Sequence, residues 1–189
     1  MLVRKQFKFE AAHTLVSAYS ERCVDSIHGH SYLVEVVLAG EPKQEDGMVV
    51  DFSYVKAIIG SFVDAWDHAM VIAAADPIKE DLLKLMNKYD MRYIVTPFNP
   101  TAEEMSIYFS SVINTVLSNA GVTQYSLHSI KVHETTTGWA ESGPVTATKE
   151  ALLAVRFNHF DLAKLLDAAT VIPRYNIKQK YEVSNGNDI

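Results

Sequence analysis

Two stretches of strict alternation constrain this chain more than any other feature. In residues 28–39, HGHSYLVEVVLA, the side chains of His28, His30, Tyr32, Val34, Val36 and Leu38 fall on one face of a strand. In residues 3–13, Phe7, Phe9, Ala11 and His13 share a face, and Lys8 and Glu10 take the other. Each strand therefore has an apolar side to bury and carries histidine at one end of that side. Gly29, between His28 and His30, removes bulk where another backbone could approach. If the two strands are neighbours, three imidazoles converge. Three neutral histidines with an open fourth position are the donor set of a catalytic Zn2+ site. The plainer alternative is that each is a hydrogen-bonded histidine of the core.

The remaining pattern supplies a framework. GEPKQEDG reads as a turn-rich loop and MVVDF as a short extended piece. Ser53 reads as an N-cap, and Val55, Ile58, Ile59, Phe62, Val63 and Trp66 predict an amphipathic helix over 54–66 that ends at Asp67–His68. Residues 69–98 are less regular, with a short helix expected in DPIKEDLLKLMNKYD and a short extended segment in RYIVTPF. NPTAEEMSIYFSSVINTVLSNAG is the clearest helix: Thr101 is its N-cap, Glu104 completes a capping box, and Gly121 stops it. YSLHSIKVHE predicts a strand with His128, Ile130, Val132 and Glu134 on one face. A further strand is expected in GWAESGPVTAT, a helix over 149–169, and a polar tail after it. The order strand, strand, helix, helix, strand predicts an α+β fold, an antiparallel sheet with helices on one side. The expected division is a domain over 1–148 and a C-terminal extension over 149–189.

A chain of 189 residues has room for such a domain plus an extension. Its net charge of −6 argues against general binding to nucleic acid or an anionic membrane, so cations for a phosphate-bearing ligand would have to be local. No apolar run is long enough to span a bilayer, and charge within MLVRKQFKFEAAH breaks the pattern of a signal peptide. A single cysteine, Cys23, cannot form an internal disulfide and fits a reducing, cytoplasmic setting. Three readings of Cys23 stand open: a small buried hydrophobe, a base or nucleophile beside a dication, or a fourth zinc ligand that seals the site. Asp67–His68 is either a polar helix end or a carboxylate-oriented proton-transfer pair. Glu134 shares a face with apolar residues, so it either pairs with a basic side chain or accepts two parallel N–H bonds from a guanidine-like ligand edge.

FEAAH, C…HGHSY, GMVVDF, WDH, NPTAE and KVHET occur in the order found in the 6-pyruvoyl-tetrahydropterin and 6-carboxy-tetrahydropterin synthase family, which the chain resembles over residues 7–136. The resemblance implies the tunnelling fold, or T-fold: an antiparallel four-stranded sheet with two helices on one face, here followed by a partly helical C-terminal extension. It implies a homo-oligomer, a hexamer built as a dimer of trimers, with active sites between subunits. By the same resemblance His13, His28 and His30 would hold zinc, Cys23 would be the general base, and Asp67 and His68 would relay protons. Glu134 would anchor the 2-amino and N3 edge of a pterin, and Thr101 would sit at the pterin pocket. The implied substrate is 7,8-dihydroneopterin triphosphate. The carboxy branch cleaves its side chain, releasing acetaldehyde and triphosphate, and its product feeds queuosine and 7-deazaguanine synthesis; the pyruvoyl branch keeps and tautomerises the side chain. EAAH, NPTAE and VVDF look more like the bacterial carboxy branch. A rival of another class is a non-catalytic T-fold protein that binds a pterin or purine and uses zinc structurally. Three departures stand out. Four residues, Val24 to Ile27, separate Cys23 from His28 where the family usually has three. The segment 69–98 is longer than in compact members, and the sequence from about 145 onward matches nothing in the family.

Overall fold

The computed structural model describes residues 1–167 of the 189. The two alternating stretches form β1 (Leu2–His13) and β2 (His28–Gly40), paired antiparallel with Phe9 opposite Tyr32, Ala11 opposite His30 and His13 opposite His28. β2 also pairs antiparallel with β5 (Tyr125–His133), which pairs with β6 (Trp139–Ser142). These strands, in the order β6-β5-β2-β1, are the expected four-stranded antiparallel sheet.

The sheet continues beyond that expectation to seven strands. β3 (Ala69–Ala73) runs parallel to Ala11, Ala12 and His13 of β1, β4 (Tyr93–Thr96) runs parallel to β3, and β7 (Arg156–Phe157) pairs antiparallel with β4. All five residues of β3, AMVIA, are buried. A strand buried on both faces has no polar–apolar alternation, which is why 69–98 read as irregular.

Two helices, α2 (Phe52–Asp64) and α4 (Ala102–Asn119), cover one face of the sheet. Phe62, Trp66 and Phe109 meet there with ring centroids 4.8–6.4 Å apart, and Phe9 stacks on Tyr32 beneath them at 4.7 Å. A third helix, α3 (Lys79–Lys88), lies on the opposite face. Ala69 and Val71 of β3 join the main core, whereas the alternate residues Met70 and Ile72 pack with Met86, Leu82 and Ala12 in a second one. A crossover between two parallel strands has to pass over one face of the sheet, and α3 does so.

Several local expectations are corrected. Asp51 rather than Ser53 caps α2: its Oδ1 accepts from the Ser53 N–H at 2.6 Å, and Val49 and Val50 are buried without forming a strand. Thr101 does cap α4, accepting from the Glu104 N–H at 3.4 Å, but its own N–H donates to the Asn99 carbonyl, so the capping box is half formed. Gly121 ends that helix region at φ +66°, a backbone conformation glycine adopts without strain. A register shift opposite Val37 and Leu38 turns His128 outward, away from the face of Ile130 and Val132. The strand expected in GWAESGPVTAT is confined to β6.

The single helix expected over 149–169 is instead α5 (Lys149–Leu153), β7 and α6 (Leu162–Leu166). Its helical spacing of leucines is genuine, since Leu152, Leu162, Leu165 and Leu166 are all buried against the main core. Pairing of Arg156 and Phe157 with Val95 and Ile94 breaks the helix in two. Residues 168–189, which hold the end of the expected helix and the polar tail, lie outside the described residues. No described helix is long and apolar enough to cross a membrane.

Candidate metal centre

The β1–β2 register brings His13, His28 and His30 together at one end of the hairpin. One ring nitrogen from each lies within 4.8 Å of the others, and the ring centroids are 4.5, 5.1 and 5.1 Å apart. The close approach depends on Gly29, where a Cβ would stand 3.0 Å from the Ala11 carbonyl oxygen. Beneath the cluster lies Tyr32, held by its stack on Phe9.

The protonation pattern leaves lone pairs facing inward. His13 is almost fully buried, and its Nδ1–H donates to the Pro100 carbonyl at 2.9 Å, so its Nε2 carries the free lone pair. That Nε2 lies 3.0 Å from Nε2 of His28, whose Nδ1 in turn sits 3.4 Å from the Ser26 carbonyl. His30 Nε2 is buried and has no hydrogen-bond partner. Burial pushes His13 down to about 4 and also lowers His30; the neighbouring rings act in the same direction, against the Pro100 bond in one case and Glu134 in the other. Inward-facing imidazole nitrogens, one of them orphaned, with His13 and His30 biased toward their neutral forms, match what a metal ion requires. A tetrahedral ion held at about 2.0–2.1 Å sets its ligand nitrogens about 3.3–3.4 Å apart, close to the spacing of His13 and His28.

Glu134 follows β5 directly and reaches the rim of this group. Its Oε1 lies 3.8 Å from His30 Nε2 and 4.0 Å from His13 Nε2. Thr101, next to Pro100, stands at the start of α4 on the same side. Cys23 lies on the short helix α1 (Glu21–Val24), half-buried, and its sulfur is outside the ligand group formed by the three histidines.

Asp67 and His68 form a pair of their own. Asp67 Oδ1 accepts from the Glu10 N–H at 2.8 Å, and its Oδ2 lies 2.7 Å from His68 Nδ1. The Glu10 N–H, His68 and Arg92 hold the Asp67 carboxyl below the usual carboxylate range, against the opposing effect of burial. His68 adopts φ +57°, unusual for a residue with a Cβ, and its N–H donates to the Glu10 carbonyl at 2.6 Å. Neither residue makes a hydrogen bond or ion pair with the three histidines among the described contacts. Instead, His68 and His30 border one cleft of about 570 Å³, walled by Met70, Leu82 and Met86.

Residues 2–144 match the family model of 6-pyruvoyl tetrahydropterin synthase. The chain belongs to that family. It is 30% identical over 148 residues to the 6-carboxy-5,6,7,8-tetrahydropterin synthase of Helicobacter pylori, covering 75% of this chain and 72% of the relative. It is equally 30% identical to the enzyme of the same name from Aquifex aeolicus, over 74% of this chain and 95% of that one. In fold it resembles the 6-pyruvoyl tetrahydropterin synthase of Plasmodium vivax, with a TM-score of 0.56 at 16% identity, covering 75% of this chain and 97% of the other. The architecture is thus the T-fold, with β3, α3, β4 and β7 widening its sheet.

All eight residues singled out from the sequence fall inside the family match, while α5, β7 and α6 fall outside it. Pro100 and Ser26 escaped notice because they contribute backbone carbonyls, which leave no side-chain signature. Glu10 escaped for the same reason: both of its bonds to Asp67–His68 come from its main chain.

Proposed function

We propose that the protein is a zinc-dependent 6-carboxy-5,6,7,8-tetrahydropterin synthase that converts 7,8-dihydroneopterin triphosphate and water to 6-carboxy-tetrahydropterin, acetaldehyde and triphosphate. The observation that carries this reading is the convergence of three imidazoles, with one orphaned nitrogen, beside the Glu134 carboxylate. The names of the relatives at 30% identity favour the carboxy branch over the pyruvoyl one.

In this reading His13, His28 and His30 hold zinc, which supplies Lewis acidity toward the hydroxyls of the substrate side chain. Glu134 accepts two N–H bonds from the 2-amino and N3 edge of the pterin, fixing the side chain's direction. Thr101 lines the pterin pocket. Cys23 takes up a proton from the side chain, and a proton is given or accepted by His68, oriented by Asp67. The family resemblance extends this reading to a homo-oligomer whose sites lie between subunits. The protein would work in the cytoplasm, on the route to 7-deazaguanine compounds.

The test is incubation of zinc-loaded protein with dihydroneopterin triphosphate and mass analysis of the products. Acetaldehyde with a carboxy-pterin is the expected outcome. A pyruvoyl-pterin would move the protein to the other branch. Retained zinc and pterin binding with no turnover would make it a binding protein.

A further inference from the structure

We infer that Asn158 and His159, in the segment beyond the family match, are positioning residues that latch the Asp67–His68 turn from the side opposite β1. The inference rests on the relay role proposed for that pair.

The turn between α2 and β3 is held from two directions. From β1, the Glu10 main chain donates to Asp67 Oδ1 and accepts from the His68 N–H. From the other side, the last carbonyls of the helix are taken up by two basic side chains. Arg92 donates to the Asp64 carbonyl at 3.0 Å, and His159 Nε2 bonds the Ala65 carbonyl at 2.8 Å. These are groups that a helix C-terminus leaves without intrahelical partners. The Asp64 carbonyl also accepts the Asp67 N–H at 3.1 Å, so the anchored atoms belong to the turn itself.

The segment that carries His159 is pinned to β4. Asn158 extends the β4–β7 pairing by one residue: its Oδ1 accepts from the Tyr93 N–H at 2.9 Å and its Nδ2 donates to the Met91 carbonyl at 2.9 Å. Those two bonds determine which way the amide faces, and Oδ1 then lies 2.8 Å from His159 Nδ1. The imidazole packs edge-on against Phe157. Burial, followed by the Arg92 charge, lowers the pKa of His159 below its ordinary value, although the Ala65 bond opposes this. The neutral ring protonated at Nε2 keeps the Ala65 bond; the Asn158 bond draws on the second proton. The durable contact is therefore the one to the turn.

Without the latch, the turn that carries the left-handed backbone at His68 would keep Glu10 on its β1 side but only the Arg92 bond to the Asp64 carbonyl on the other. Displacement of about 1 Å in a catalytic group costs about a hundredfold in rate. His159→Leu removes the donor, whereas His159→Gln keeps an N–H that can reach the Ala65 carbonyl. In His159→Leu, kcat should fall about tenfold or more at nearly constant KM, with zinc content unchanged. Hydrogen exchange at the amides of Glu10 and His68 should accelerate by about tenfold in the same variant. His159→Gln should restore both. A folded Leu variant with wild-type kcat and exchange, or a Gln variant as impaired as Leu, would overturn the latch. If the Leu variant does not fold, Asn158→Ser, which loosens His159 indirectly, is read against the same outcomes. Absence of turnover in the wild type would defeat the proposed activity alone, and the exchange measurements would then decide the latch.

Discussion

The orphaned nitrogen of His30 allows the metal centre to be tested without any substrate. In His30→Ala two effects on the metal-free protein oppose each other. Removing a buried nitrogen that has no partner relieves a penalty of about 1–3 kcal/mol. Removing the ring forfeits its edge-on packing against His13, His28 and Tyr32, at 5.1, 5.1 and 5.6 Å, a loss of similar size. The metal-free variant should therefore melt close to the metal-free wild type. With zinc the two should separate. An ion that binds only the folded chain, present at a hundred times its Kd, stabilises by about 2.7 kcal/mol. For a chain of this length that raises Tm by about 5–11 °C. The variant, left with two imidazoles, should show none of that rise at the same zinc concentration. Scanning calorimetry with zinc and with chelator, alongside elemental analysis, reads both arms. A variant that keeps one ion per chain and the full rise would refute the three-histidine centre. A metal-free variant several kcal/mol weaker than wild type would refute the claim that His30 is uncompensated.

Other outcomes follow from the same contacts. Cys23→Ala should keep its zinc, because the sulfur lies outside the histidine group, yet lose turnover by about 10²–10⁴-fold in a product assay. Glu134→Gln should weaken pterin binding, measured by calorimetry, by about 1.5–3 kcal/mol, the worth of a hydrogen bond to a charged group. Glu35, nearly buried on β2, accepts from Arg4 at 3.0 and 3.1 Å and from Gln6 at 3.0 Å. Burial alone would raise its carboxyl pKa, but the Gln6 and Arg4 bonds outweigh it and the net shift is downward. A carboxyl depressed by folding stabilises the protein above its unfolded pKa and loses that contribution as pH falls through the folded one. Because Arg4 is more than half exposed and no buried charge is stranded, Glu35→Gln should cost only about 1 kcal/mol at pH 7 in a denaturant titration, with the gap from wild type closing as acid protonates the carboxyl.

What the sequence makes legible follows from the period of each element. β1 and β2 each bury one face, so alternation reveals them and places His13, His28 and His30 on a common side. α2 and α4 bury one stripe, so the helical period reveals them. β3 is buried on both faces and has no period to read. His128 defeats the pattern differently, because one extra residue opposite Val37 and Leu38 reverses the phase of β5 midway. At the site, side chains could be found in advance, but the carbonyls of Pro100, Ser26 and Glu10 could not. Any residue supplies such a carbonyl, and only the fold decides which one is aimed at a ring nitrogen or a turn.

The added strands have a physical consequence for the metal centre. Along β1, Ala11, Ala12 and His13 are paired on both edges, to β2 on one side and to β3 on the other, and Glu10 before them bonds Asp67 and His68 on the β3 side. The Thr14 N–H extends this pairing to the Val71 carbonyl. Among the described residues, Leu2–Phe9 pair on the β2 side alone. The doubly paired stretch therefore coincides with the histidine end of the strand. α3 packs Met86 and Leu82 against Met70 and Ala12 on the far side of that stretch, and β7 closes the β4 edge behind it. His13, carried on backbone fixed along both edges, meets a metal with little reordering left to do, and less of the binding free energy is then lost to conformational entropy. Segment 69–98 and residues 145–167 act in this way as a buttress. They provide no ligand, yet they restrain the strand that carries His13 and the turn that carries His68.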